Sequence, residues 1–110
     1  WEPVVIAATT VDWFAKWMMH DTDRVIIQIR IQKLTDSWGW ASQRIDTEQR
    51  EKIYLIALDQ RQALRSFVQT LIHELMHIRQ YERGSWTGDG ESEAESSEVL
   101  ADAIWLSGLI

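Results

Sequence analysis

The feature that most constrains the fold is a helical pattern between Asp59 and Gly84. At about 100° per residue, its apolar side chains fall on one side and its polar side chains, including His73 and His77, fall on the other. Asp59 is a residue type that caps helices and Gly84 is one that ends them, so the pattern predicts one long amphipathic helix. The apolar side must pack against another layer of the structure. This side consists of Leu64, Phe67, Val68, Leu71, Leu75 and Ile78.

A second pattern, with a period of two, predicts strands upstream of that helix. Isoleucine alternates with polar residues over 27–32, which is typical of a half-buried strand. Residues 38–44 are a candidate partner strand, although Gly39 weakens the pattern. The compact apolar run of residues 53–58 predicts a third strand.

Helical patterns flank this core at both ends of the chain. Thr9 and Asp12 have the spacing of a helix start, which predicts a helix over residues 10–20. Ser92 and Glu95 have the same spacing ahead of a C-terminal apolar pattern. The elements together predict an α+β fold, with an N-terminal helix, a small and mostly antiparallel three-stranded sheet, the long central helix and a glutamate-bearing C-terminal helix.

Composition narrows the classes of site and partner. The 110 residues contain no cysteine, so a metal would be held by His, Asp or Glu. The net charge of −6, without a basic run, argues against nucleic acid or an anionic membrane as a partner. No apolar stretch reaches the roughly 18 residues of a membrane span. We therefore expect one domain over residues 1–110 and a soluble, cytoplasmic protein, whose first residue, Trp1, is compatible with trimming of a precursor.

Seven tryptophans are many for this length. The sequence Trp38-Gly39-Trp40 is compatible with a binding platform, but packing in the core or on a crowded hydrophobic face is the favoured interpretation.

The polar side of the long helix carries a candidate metal site. His73 and His77 stand one turn apart, as two ligands of one ion require. A helical histidine is more often a core or solvated residue, but a core role conflicts with the polar side. Glu74 lies about 100° around the helix from His73, where it can flank the metal without ligating it and act as a general base on water. The motif predicts one zinc ion per chain.

A catalytic zinc usually takes three protein ligands. The longer motif with a third histidine is excluded, because Gln80 and Arg83 occupy the positions where it needs glycine and histidine. An acidic third ligand from the stretch after Gly90 remains. Some of these charges are also explained by a solvated helix N-terminus.

Two frames related by seven residues can supply that ligand. In the favoured frame Glu98 coordinates, and Asp102, one turn later on the same stripe, accepts a hydrogen bond from a histidine ring. In the alternative frame Glu91 and Glu95 have the same spacing, but Glu91 would lie before the expected cap at Ser92.

The segment His73-Glu74-Leu75-Met76-His77, followed 21 residues later by Glu98-Val99-Leu100-Ala101-Asp102, resembles the gluzincin clan of zinc metallopeptidases. The chain is similar in size and element order to minimal gluzincin domains. The resemblance implies zinc ligation by His73, His77 and Glu98, acid–base catalysis by Glu74, orientation of a histidine by Asp102, and a peptide or protein substrate.

The resemblance also implies that the strand at Ile53–Leu58 is an edge strand that pairs with an extended substrate through Tyr54, Leu55, Ile56 and Ala57. The chain departs from larger gluzincins in one respect. Those proteins stabilise the oxyanion with a His or Tyr from a C-terminal subdomain. Only eight residues follow Asp102 here, with no His or Tyr among them, which leaves Tyr54, His20 and Tyr81 as candidates. The two hypotheses are a zinc endopeptidase and a zinc-stabilised binding or regulatory module that cleaves little.

Overall fold

The computed structural model describes residues 1–19, 25–46, 51–84 and 88–108, apart from the side chains of 44–46 and 51. The predicted α+β class is confirmed: a helix is followed by a three-stranded sheet and then by helices. Across the described ranges, no helix is long and apolar enough to cross a membrane. The elements are α1 (Pro3–Met18), β1 (Val25–Gln32), β2 (Gly39–Asp46), β3 (Glu51–Asp59), α2 (Leu64–Arg83), α3 (Glu91–Ser97) and α4 (Leu100–Leu106).

The sheet is mixed, with strand order β1-β3-β2. β1 runs parallel to β3 with Ile27 opposite Tyr54, and β2 runs antiparallel to β3 with Gln43 opposite Tyr54. The expectation that Tyr54, Leu55, Ile56 and Ala57 form an edge strand is wrong, because β3 is central and its backbone is paired on both sides. An unbroken apolar run is typical of such a central strand, since both of its faces are buried.

Helix α2 organises the core. The apolar side predicted for it is buried against β2, β3 and α1, while α3 and α4 flank it. His73 and His77 lie on the opposite side and are half-buried. The helix ends as predicted at Gly84, whose φ of 77° lies in the left-handed region that favours glycine.

The beginnings of two helices differ from the prediction. Helix α1 starts at Pro3 rather than Thr9, because proline at the first helical position is itself a start signal. The helix ends at Met18, before the predicted end at His20, since Met19 is already extended; His20 itself lies outside the described residues. Asp59 does not cap α2; it ends β3, and its carboxylate accepts the backbone N–H groups of Leu34 (3.0 Å) and Arg61 (2.8 Å).

The C-terminal helix predicted from Ser92 is divided into α3 and α4, with Glu98 at the junction. Helix α3 begins at Glu91 and not after Ser92, because Gly90, with a φ of 81°, turns the chain into the helix. This start places Glu91 in the first turn, beside α2.

Four of the described tryptophans are exposed rather than packed in the core, which was one of the two favoured interpretations. Trp38 and Trp40, at the start of β2, are 56% and 38% exposed. Trp1 and Trp17 are also exposed, whereas Trp13 and Trp105 pack partly against the core. The side chains at the start of β2 therefore present an aromatic surface to solvent.

Candidate metal centre

The two histidines of α2 form one side of a half-buried cluster. Their side chains are 16% and 14% exposed, and their ring centroids are 5.1 Å apart in an edge-to-face arrangement. The one-turn separation brings both Nε2 atoms toward the start of α3. The predicted pair is therefore positioned to face one common point.

Glu91 completes this cluster. Its Oε2 lies 3.0 Å from Nε2 of His73 and its Oε1 lies 2.9 Å from Nε2 of His77. One candidate ligand atom from each of the three side chains lies within 4.8 Å of the other two. The backbone N–H of Glu91 donates to Oδ1 of Asp89 at 3.0 Å, which helps to hold the residue at the helix start.

Glu98, the ligand that the sequence favoured, lies at a different nitrogen. Its Oε2 is 3.3 Å from Nδ1 of His73, on the side of the ring away from the Nε2 that faces Glu91. The structure thus groups Glu91 with the two histidines and gives Glu98 a contact that orients His73. The difference follows from the helix start, because Glu91 is inside α3 rather than ahead of its cap.

Asp102 does not receive the hydrogen bond that was predicted for it. Its carboxylate forms an exposed ion pair with Arg65, at 2.9 Å. The four imidazole nitrogens of His73 and His77 contact Glu98, Glu91 and Gln80 instead. Because the C-terminal helix is divided at Glu98, Asp102 and Glu98 do not lie on the one continuous helical face that was predicted for them.

Gln80 is a site residue that the sequence interpretation missed. It lies one turn after His77 and is only 3% exposed. Its Oε1 is 2.9 Å from Nδ1 of His77, and its Nε2 donates to the carbonyl of Gly90 and to Glu93, each at 2.9 Å. Its helical spacing from His77 was a usable signal, but the contact with Gly90 depends on the fold.

Electrostatics distinguish Glu74 from the other acids. Glu74 is 7% exposed, and burial raises the pKa of its carboxyl, opposed by His73 and His77 and reinforced by Glu91. For His73, burial alone would lower the pKa, but the hydrogen bond to Glu98 and the charges of Glu74 and Glu91 outweigh it and the pKa is raised. The cluster is therefore a partly desolvated site with an excess of negative charge.

If both imidazoles are neutral, the groups that they contact cannot satisfy all four ring nitrogens. All four ring nitrogens face oxygen acceptors, three from carboxylates and one from the Gln80 amide. A neutral imidazole has one N–H donor and one lone pair, so each neutral ring would direct a lone pair at an acceptor. A cation held between the Nε2 atoms and Glu91 would remove this conflict, as would additional protons on the rings or on the facing carboxyls.

The candidates for stabilising an oxyanion have other contacts or lie outside the described residues. The Tyr54 hydroxyl, in central strand β3, donates to Oε2 of Glu82 at 3.0 Å, and burial raises the pKa of this tyrosine. Tyr81 stacks on Tyr54 with ring centroids 6.2 Å apart. His20 lies outside the described residues.

Comparison of the chain with protein-family models, with curated proteins and with solved structures gave no match.

Proposed function

We propose that this chain is a zinc-dependent endopeptidase in which His73, His77 and Glu91 hold one zinc ion and Glu74 is the general base. The observation that carries the proposal is the set of four imidazole nitrogens that all face acceptors. The two Nε2 lone pairs and the Glu91 carboxylate would hold a zinc ion, while each Nδ1–H would donate to its own acceptor. One cation thus satisfies every group that neutral rings leave in conflict.

The spacing of the ligand atoms supports this donor set. Glu91 oxygens lie 2.9 and 3.0 Å from the two Nε2 atoms. Ligands of a tetrahedral zinc, with bonds of 2.0–2.2 Å, are roughly 3.3 Å apart. Small movements of these side chains would therefore let the three residues hold the ion. Two imidazoles and one carboxylate are also the ligand set of many catalytic zinc sites, which keep a fourth position open.

Glu74 supplies the acid–base chemistry of the proposed reaction. When bound, zinc supplies a Lewis acid that activates water and polarises a peptide carbonyl. The Glu74 carboxylate accepts a proton from the attacking water and passes it to the leaving amine nitrogen. Its burial excludes bulk water from that transfer. The similarity of the helical motif to gluzincins supports hydrolysis of a peptide bond.

The substrate-binding strand in this proposal is β2 rather than β3. β2 is an outer strand of the sheet, and its Gly39 packs against α2 so closely that an added Cβ would lie 2.6 Å from Cγ2 of Thr70. Thr70 is one turn before His73. An extended peptide pairing with the outer side of β2 would therefore run beside the centre, with Trp38 and Trp40 available to its apolar side chains.

Purified protein should carry close to one zinc ion per chain and cleave members of a peptide library. Elemental analysis after exhaustive dialysis measures the first quantity, and mass spectrometry of the library products measures the second. Zinc well below one ion per chain after incubation with excess zinc would contradict the metal site. A chelator-treated sample is the matched control, and its cleavage should return when zinc is added back.

A second candidate is a zinc-stabilised binding or regulatory module with little or no cleavage. The observation that favours it is the engagement of the Tyr54 hydroxyl with Glu82, because this removes one candidate for stabilising the oxyanion. The two candidates share the metal site and differ in catalysis. Stoichiometric zinc without cleavage of any library member would select this second function.

Replacing Glu91 with alanine should weaken zinc binding more than replacing Glu98, because Glu91 is the proposed ligand and Glu98 orients His73. We expect Glu98→Ala to cost about ten- to a hundredfold in zinc affinity and Glu91→Ala to cost more than that. Competition with a chelator of known affinity measures both. Glu95→Ala, which removes an exposed acid from the same helix, is the control. The reverse order of effects would restore Glu98 as the third ligand.

A further inference from the structure

Gln80 is a buried amide that connects the two segments carrying the proposed ligands. It lies on α2 after His77, and its Nε2 donates across to the carbonyl of Gly90, the residue before Glu91. A side chain that is 3% exposed and makes three polar contacts has little freedom to reorient. Gln80 therefore holds the start of α3 against the last turns of α2.

The orientation of this amide follows from its neighbours. Both groups at Nε2 are acceptors, namely the Gly90 carbonyl and Oε1 of Glu93. Arg83 forms an ion pair with Glu93 at 2.7 Å, so Glu93 is an anion that only accepts. The NH₂ group must face these acceptors, which leaves Oε1 for His77.

The fixed amide in turn selects the tautomer of His77. Because Oε1 of Gln80 only accepts, Nδ1 of His77 carries the proton at their 2.9 Å contact. In a neutral ring, Nε2 then presents its lone pair toward Glu91. In the alternative tautomer, the Nδ1 lone pair of His77 would face Oε1 of Gln80, which also only accepts. The Nε2–H would then point toward the ion.

Gly90 is matched to this arrangement. Its φ of 81° lies in the left-handed region, and a Cβ on it would overlap Oε1 of Gln80. The amide therefore occupies space that only glycine leaves open. This close fit couples the position of Gln80 to the turn that delivers Glu91.

We infer that Gln80 is a positioning residue that prepares the metal centre, by setting the tautomer of His77 and anchoring the turn that presents Glu91. The inference rests on the zinc site proposed above. It assigns Gln80 no contact with the metal or the substrate.

Gln80→Met tests this role, because methionine keeps the length of the side chain and removes its amide. Zinc affinity, measured by chelator competition, should fall about ten- to a hundredfold. In the ¹⁵N-labelled, zinc-loaded parent, the Nδ1–H proton of His77 should give a slowly exchanging resonance that is lost or broadened in the variant. A purely structural role would lower thermal stability without changing this resonance.

The paired variant Gln80→Glu with Glu93→Gln provides the rescue. It keeps the net charge, an acceptor for His77 and a donor between positions 80 and 93 but loses the donor to the Gly90 carbonyl, so it should recover the resonance and only part of the affinity. Gln28→Met, at an exposed position of β1, is the control for the substitution itself.

Three outcomes decide the matter. Parental zinc affinity and an unchanged His77 resonance in Gln80→Met would overturn the inference while leaving the zinc site intact. If Gln80→Met does not fold, a folded paired variant without a protected Nδ1–H of His77 would overturn it as well. Failure of the parent protein to bind zinc would instead remove the proposed function, and the inference with it.

Discussion

Replacing both His73 and His77 with alanine should reduce the zinc content from close to one ion per chain to background. Two of the three proposed ligands are lost, and the remaining carboxylate of Glu91 is about half exposed, which leaves an acid that competes poorly with water for zinc. Both histidines lie on the polar side of α2, opposite its core-facing side chains, so the helix should persist. Elemental analysis after dialysis, with far-ultraviolet circular dichroism as the folding check, measures the effect.

The matched control is His20→Ala, which removes the other histidine of the chain and should leave the zinc content unchanged. Lowering the pH of the parent protein should release zinc as the imidazoles take up protons. Full zinc occupancy in the double variant would refute the proposed site, whatever its catalytic activity.

Replacing Glu74 with glutamine should leave zinc content and fold unchanged while peptide cleavage falls by at least about a hundredfold. The amide has nearly the same shape as the carboxylate but cannot accept a proton from water. Glu74 makes no coordinating contact in the proposed site, so metal binding does not depend on it. Turnover of a cleaved library peptide, measured on zinc-loaded samples of matched concentration, checks the prediction.

Glu82→Gln is a suitable comparison, because it makes the same chemical change on the same helix at a residue that contacts Tyr54. Its turnover should fall far less than that of Glu74→Gln. Unchanged turnover in Glu74→Gln would remove this residue from the mechanism, even if zinc remained essential.

The helical period alone was sufficient to predict the arrangement of α2. Its apolar side, its end at Gly84 and the exposure of His73 and His77 toward a polar side all depend on local spacing. The period of two likewise predicted β1. These features follow from the sequence because each depends only on the spacing of residues within one element and on which of its sides faces the core.

The third acidic residue of the cluster could not be predicted in the same way. Ser92 and Glu95 have the spacing of a capping box, but Gly90 begins the helix earlier and so brings Glu91 into reach. The capping preference of serine is worth roughly 1 kcal/mol, which tertiary contacts such as those of Gln80 can override. A shift of the helix start by two residues was enough to change the frame.

The position of β3 in the sheet was a failure of a different kind. An edge strand was expected because the gluzincin resemblance implied one, and the apolar run of residues 53–58, although typical of a central strand, does not specify which strands pair with it. Strand order depends on how β1 and β2 each pair with β3, and no local sequence pattern specifies that pairing. The outer strand beside α2 is therefore β2.

The short distance along the chain between the candidate ligands has a consequence for polymer entropy. His77 and Glu91 are 14 residues apart, and the Gln80–Gly90 hydrogen bond already joins two points inside that interval. Bringing His77 and Glu91 to one ion would therefore close only a short loop, whose entropic cost is small, and the Gln80–Gly90 contact already holds part of that loop together. A bound ion would also hold α3 against α2, so separation of these two helices and release of the metal would be the same event.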